Sequence, residues 1–363
     1  MPCQYMYPYV MKMGTCSENI MPSKLIKLAA LNSLSIMRNS NSKFLIIPTV
    51  AGFLCVISIF SCRKDPVSLR IWREQTIPVA MDINSVWFAD SLRGFAAGGI
   101  SWESGCMLST LDGGNTWLTD SITGYSLECV MADSSGRAYA VGQAGRGFER
   151  PPDKTGWYLF REDYRWHRAC FMRNAQQSVI VSGESFGGGE LRTLGPEYFW
   201  VLDTTQLFPN QLQAVWSTTE KTWHACGMGW VLRSDDGGYT WTRLENTGDF
   251  FTAIHFPSQK IGYICGRNGT ILKTTDEGQS WQEIRKGGAV KPRYQRFKSI
   301  WFSSATEGWV VGEAGLFWHT EDGGDSWSPV KEAPSEVNFT DVFVLDGRGW
   351  ASGEGGGMFY FEY

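Results

Sequence analysis

An octapeptide repeated four times constrains this chain more than any other feature. Thr110–Trp117, Ser234–Trp241, Thr274–Trp281 and Thr320–Trp327 align without gaps on the pattern S/T-x-D-x-G-x-S/T-W. Asp112, Asp236, Asp276 and Asp322 hold its third position, and Trp117, Trp241, Trp281 and Trp327 its last. A short carboxylate side chain can accept backbone N–H groups in a turn, and glycine permits positive φ. The tryptophan that follows opens a strand and packs its ring inward. Each octapeptide therefore predicts a hairpin turn, with the aspartate a structural residue and not an acid catalyst.

A second signal runs in step with the first. Alternating apolar runs end in Gly98, Gly142, Gly183, Gly227, Gly266, Gly312 and Gly353, at spacings of 44, 41, 44, 39, 46 and 41 residues. A further apolar run precedes each. Every unit thus reads as strand a, strand b ending in glycine, strand c, turn and strand d, a length that suits one propeller blade. The expected fold class is all-β, a seven-bladed β-propeller of four-stranded antiparallel blades. Blades 2 and 3 lack the octapeptide. Trp157–Phe160 and Tyr164–Trp166 are the expected strands c and d of blade 2, and Glu190–Leu194 and Tyr198–Trp200 those of blade 3. The seventh unit ends after strand c, Met358–Tyr363. Trp72 lies 45 residues before Trp117, in phase with the repeat. Residues 67–75 are therefore expected to complete blade 7 and remove its open edge, so that the propeller spans 67–363.

Upstream, Phe44–Phe60 is an uncharged, mostly apolar run of 17 residues, interrupted by Pro48 and Gly52. It is short for a spanning helix. Arg38 and Lys43 precede it, and Ile59-Phe60-Ser61-Cys62 follows, the order of a secretory signal. The last four residues are similar to a bacterial lipobox with Cys62 as the lipidated residue. This reading divides the N-terminus into a start-site extension (1–36), a lipoprotein signal (37–61) and a short linker (62–66). It implies export and a lipid anchor in a bacterial envelope membrane. Beyond the signal, Cys106, Cys129, Cys170, Cys226 and Cys265 form an odd set without CxxC spacing, expected to be small buried residues with any pairing left open. No cofactor or metal is expected. A net charge of -4 argues against nucleic acid as a partner.

The octapeptide is the Asp box, or bacterial neuraminidase repeat. Through it and the sevenfold period, the chain resembles the family of photosystem II assembly and stability factors over roughly 67–363. That resemblance implies a non-catalytic scaffold for assembling membrane protein complexes, with an arginine patch at its partner surface. Sialidases, sortilin-type receptors and xyloglucan hydrolases share the box, so a glycan-binding or glycan-hydrolysing protein is the main alternative.

Antiparallel blades put the b–c and d–a loops on one face and the Asp boxes on the other. The residue after each b-strand glycine should ring the channel on the first face: Gln143, Glu184, Met228, Arg267, Glu313 and Glu354. Two longer loops are expected there, Gly142–Gly156 and the basic stretch Arg285–Lys298. The second carries Arg285, Lys286, Lys291, Arg293, Arg296 and Lys298 without an acid, which could dock an acidic protein partner or lipid head groups. A glycosidase needs two apposed carboxylates, for which Glu184, Glu313 and Glu354 are the candidates. His167, His224, His255 and His319 all fall in expected strands and read as packed residues. No HExxH, GxSxG or phosphate loop occurs.

Overall fold

A computed structural model describes residues 66–174, 177–184, 188–194, 202–244, 248–288 and 296–363. The expected signal and Cys62, strand Tyr198–Trp200, and the candidates Lys291 and Arg293 lie outside the described residues. Among those described, the chain forms seven four-stranded antiparallel sheets, each made of consecutive strands except one. The inner strands are Ile83–Phe88, Leu127–Ala132, His167–Asn174, Leu212–Ser217, Phe251–His255, Phe297–Phe302 and Phe339–Leu345. Each packs on the next around the circle, and blade 7 packs on blade 1. Hydrophobic clusters fill the wedges between neighbouring sheets.

The exceptional sheet closes the ring. Ile71–Glu74 pairs antiparallel with Met358–Glu362, with Trp72 opposite Phe361. The Trp72 ring stacks on Phe359 at 5.4 Å and meets Phe317 of blade 6 edge-on at 5.2 Å. Val67 forms a parallel bridge to Val330, so the N-terminal segment also pins the outer strand of blade 6. The expected closure is observed.

The Asp boxes are the turns the sequence predicts. In the first, the Asp112 carboxylate accepts the Thr116 N–H (2.9 Å) and hydroxyl (2.7 Å), and the Thr110 hydroxyl donates to it as well (2.8 Å). The Gly114 N–H closes the turn on Thr110 Oγ1. Hydrogen bonding from Thr116 holds the Asp112 carboxyl below its ordinary pKa. The other three boxes repeat this set. Neighbouring blades also use the boxes as acceptors: the Trp350 indole donates to the Gly113 carbonyl and the Tyr263 hydroxyl to that of Gly323.

Blades 2 and 3 correct two expectations. In blade 2, strands c and d are Gly147–Arg150 and Tyr158–Arg161. A tight turn at Gln143–Gly145, with Ala144 at φ 55° and Gly145 at φ 60°, returns the chain after only four residues. Part of the supposed loop Gly142–Gly156, Gly147–Arg150, is therefore sheet, and Arg150 stacks on Phe95 instead of facing a partner. In blade 3, strand c is Gly189–Leu194 as expected, but strand d is Leu202–Phe208. Without an Asp box to shorten the c–d turn, the register of the fourth strand was not readable.

Candidate functional site: the mouth of the central channel

All seven inner strands carry a β-bulge at the same place. Register slips between Ile83 and Ser85, Leu127 and Cys129, His167 and Ala169, Leu212 and Ala214, Phe251 and Ala253, Phe297 and Ser299, and Phe339 and Asp341. A bulge leaves one residue unpaired and can re-aim its side chain. The residues released are Asn84, Glu128, Arg168, Gln213, Thr252, Lys298 and Thr340, and all seven line a central cavity of about 600 Å³. The periodic glycines make room for this device. A Cβ on Gly98, Gly142, Gly227 or Gly312 would lie 1.9–2.3 Å from the carbonyl oxygen of Asp82, Ser126, Gln211 or Arg296, each just before an inner strand. The same carbonyls accept the N–H of the residue after each glycine, Gly99, Gln143, Met228 and Glu313.

Successive positions on the inner strands give the cavity three levels. Below the polar ring comes a ring of small residues, Ser85, Cys129, Ala169, Ala214, Ala253 and Ser299, broken by Asp341. Asp341 is clamped by the Ser299 hydroxyl (2.7 Å) and the Val86 N–H (3.1 Å), joining blades 6, 7 and 1 at the axis. Burial pushes its carboxyl up to about 6 despite these hydrogen bonds. The third level is aromatic. Trp87, Trp216 and Trp301, from blades 1, 4 and 6, meet with centroid separations of 5.4–6.3 Å. Phe343, Phe171 and His255 pack around them. This floor lies towards the Asp-box face and the polar ring towards the b–c face, which makes the site a blind funnel.

Three cations converge at the mouth: Arg168, Arg267 and Lys298. Arg168 stacks 3.5 Å above the Trp166 ring and donates to the Gly183 carbonyl. Burial, opposed by Glu128 and aided by the nearby Arg267, lowers its pKa to about 10. Burial likewise raises the Glu128 carboxyl, against the attraction of Arg168 and Lys298. Lys298 also pairs with Glu313 at 3.4 Å. Arg267 lies beside the Phe250 ring and has no carboxylate within ion-pairing distance among the described residues.

Of the six residues placed after the b-strand glycines, only Met228 and Arg267 reach the cavity. Gln143 is fully buried and holds the neighbouring blade, its amide bonded to the Trp102 N–H and the Ser101 hydroxyl. Glu184 pairs with Arg165 (3.5 Å), Glu313 with Arg296 and Lys298, and Glu354 accepts from Asn338 (2.7 Å). Each carboxylate is thus engaged by a local partner. The basic stretch divides: Lys286 and Arg296 are exposed, Lys298 lines the cavity, and Arg285 lies between the Phe297 and Trp318 rings, donating to the Gly269 carbonyl. The four histidines are buried strand residues, and burial lowers His224 and His255 to about 3. Cys106, Cys129, Cys170, Cys226 and Cys265 are free thiols.

Asn84, Glu128, Arg168, Gln213, Thr252 and Thr340 were missed at the sequence level. Their signal was a polar residue at the second place of each inner strand, opposite a periodic glycine.

Residues 243–335 match the family model described as photosynthesis system II assembly factor YCF48. The fold is similar to that of YCF48 bound to a D1 peptide, with a TM-score of 0.64 and 15% identity over 82% of this chain and 99% of the other. YCF48 from Cyanidioschyzon merolae gives 0.58 and 15% over 80% and 98%. These likenesses share the propeller fold, and the family match itself covers residues 243–335 alone. The WD40 propeller domain of Doa1 gives 0.62 at 12% identity, over 80% of this chain and 97% of that one. No curated protein matches it in sequence.

Proposed function

We propose that this chain is a non-catalytic propeller that holds an extended segment of a client protein during assembly of a membrane or envelope complex, tethered by lipid on Cys62. The observation that carries the reading is the blind funnel: Arg168, Arg267 and Lys298 surround its mouth, and tryptophans close it below. Clustered cations in a concave, low-dielectric setting attract and orient anionic groups. The segment favoured is one that ends in, or carries, a carboxylate small enough to enter the funnel. The peptide-bound state of YCF48, a protein of the same fold, supports a polypeptide ligand.

The reading is tested on the purified full-length protein with fluorescent peptides whose last residues are acidic or amidated and neutral. Acidic peptides should bind, and Arg267→Glu should abolish binding while Glu184→Gln leaves it intact. Equal binding of the neutral peptides, or an Arg267→Glu protein that binds as before, would refute it. Metabolic labelling with a radioactive fatty acid tests the tether. Wild type should incorporate label and Cys62→Ala should not, and an unlabelled wild type would remove the anchor.

A further inference from the structure

A shelf of aromatic rings stands at the lip of the funnel, beside blades 1 to 3. Trp102, in the b–c turn of blade 1, is 59% exposed, whereas the other described tryptophans are buried or half-buried. Its ring meets Trp166 edge-to-face at 5.5 Å and Tyr125 at 6.3 Å. Trp166 lines the cavity itself and carries the Arg168 guanidinium on its face. The path Trp102–Trp166–Arg168 therefore leads from solvent into the cationic mouth without a break.

The shelf is held in place by specific contacts. Trp102 sits at φ 63°, a conformation costly for a bulky residue and one that persists where the surroundings impose it. Fully buried Gln143 of the next blade imposes it, accepting the Trp102 N–H at 2.7 Å and donating to Ser101 at 2.7 Å. An apolar ring is thus presented to water by a strained turn with a buried polar support. Trp102 takes no part in the hydrophobic clusters on either side of blade 1.

We infer that Trp102 and Trp166 form a second subsite, which stacks an aromatic side chain of the same client segment whose carboxylate enters the funnel over Arg168, Arg267 and Lys298. This rests on the peptide reading above and adds a sequence requirement to it. A sugar ring would need hydrogen-bonding groups beside the tryptophans. Around the rings Gln143 is bonded as described, the Asn84 amide is bonded to Ser126 Oγ and the Leu127 carbonyl, and Arg168 lies face-on to Trp166 with Glu128 close by. Charge complementarity at the mouth and aromatic area at its lip together fit an acidic peptide with an aromatic residue a few positions from its charged end.

The experiment compares three labelled peptides by fluorescence anisotropy: acidic end with an upstream Phe, acidic end with Ala in that place, and a neutral amidated control. Trp102→Gly is the informative variant, because glycine adopts φ 63° without strain and removes only the ring. Wild type should prefer the Phe peptide over the Ala peptide by roughly 3- to 10-fold, the scale of one aromatic pair. Trp102→Gly should erase that preference and leave the Ala peptide's affinity unchanged, with an unaltered melting curve. A preference that survives in Trp102→Gly overturns the subsite, and if Arg267→Glu still loses the acidic peptides, the funnel reading stands alone. If acidic and neutral peptides bind alike, both fall. Binding of an acidic oligosaccharide that depends on Trp102 would reassign the shelf to sugars and overturn the proposal. Should Trp102→Gly melt early, Trp102→Asn, which also tolerates positive φ, replaces it under the same criteria.

Discussion

The two ends of the channel are built from the same seven strands, three residues apart, yet they follow different rules. At the floor, Trp87, Met131, Phe171, Trp216, His255, Trp301 and Phe343 are nearly all large and ring-bearing, because converging strands leave an axial space that only bulky side chains fill. At the mouth, the bulged positions hold Asn, Glu, Arg, Gln, Thr, Lys and Thr. Asn84, Thr252 and Thr340 each donate to a backbone carbonyl of the next blade, whereas Glu128, Arg168, Gln213 and Lys298, taken out of the sheet by the bulge, face the cavity. The floor is fold and the mouth is free to specialise.

The most severe way to break this comparison is to open the ring. Removal of residues 67–75 takes away the outer strand of blade 7, the Trp72 contacts with Phe359 and Phe317, and the Val67 bridge. The ring would then have a free edge, and we expect loss of cooperative unfolding by circular dichroism. A truncated protein that melts at the wild-type temperature would show that closure contributes nothing. Next in size is the floor itself. Trp301→Ala removes a ring in contact with Trp87, Trp216, His255 and Phe343. Destabilisation of about 3–5 kcal/mol is expected by denaturant titration. A cost below about 1 kcal/mol would mean the floor is not a packed layer.

Asp341 lies between the two ends and sharpens the contrast through pH. Its carboxyl is raised to about 6 by burial, so between the unfolded value near 4 and pH 6 the folded protein holds a proton that the unfolded chain has released. Stability should therefore fall as pH rises through that window, by an amount on the order of 2–3 kcal/mol if no other group compensates. The slope should vanish in Asp341→Asn, measured by thermal melts from pH 4 to 7. A slope unchanged in the variant would assign it to other groups. Asp236→Ala is a smaller perturbation. It removes the acceptor for Thr240 and Ser234 in one box of four, with an expected cost of about 1–2 kcal/mol in a chemical melt and no effect on peptide binding.

The division between floor and mouth also explains what could be read from the sequence. The Asp boxes, the glycine period and the phase of Trp72 are consequences of backbone geometry, and a geometric demand repeated seven times shows above the noise of a single sequence. Blades 2 and 3 were misdrawn where that demand lapses, at Gly147–Arg150, Tyr158–Arg161 and Leu202–Phe208. The residues after the b-strand glycines lie further out than the bulged residues that line the cavity. Met228 and Arg267 reach the cavity while Gln143 does not, because a bulge breaks the alternation on which strand reading depends. Seven different polar residues at one structural position carry no repeat signal, and only their shared place opposite a glycine marks them.

The smallest stability effect belongs to the mouth, and it discriminates best. Arg267 stands near Arg168, whose protonation it disfavours, and it has no carboxylate in ion-pairing distance among the described residues. Two like charges held together at a partly desolvated rim cost stability, and a site under selection for folding alone would not keep them. Arg267→Gln should accordingly leave the melting midpoint within about 0.5 kcal/mol of wild type, shifted upward if at all, and the upward shift should shrink as salt screens the pair. Set beside the several kcal/mol expected of Trp301→Ala at the other end of the same channel, that near-null result would locate stability at the floor. If Arg267→Gln instead destabilised the protein as much as the floor variant does, the cation ring would be part of the scaffold, and the distinction between a packed end and a binding end would collapse.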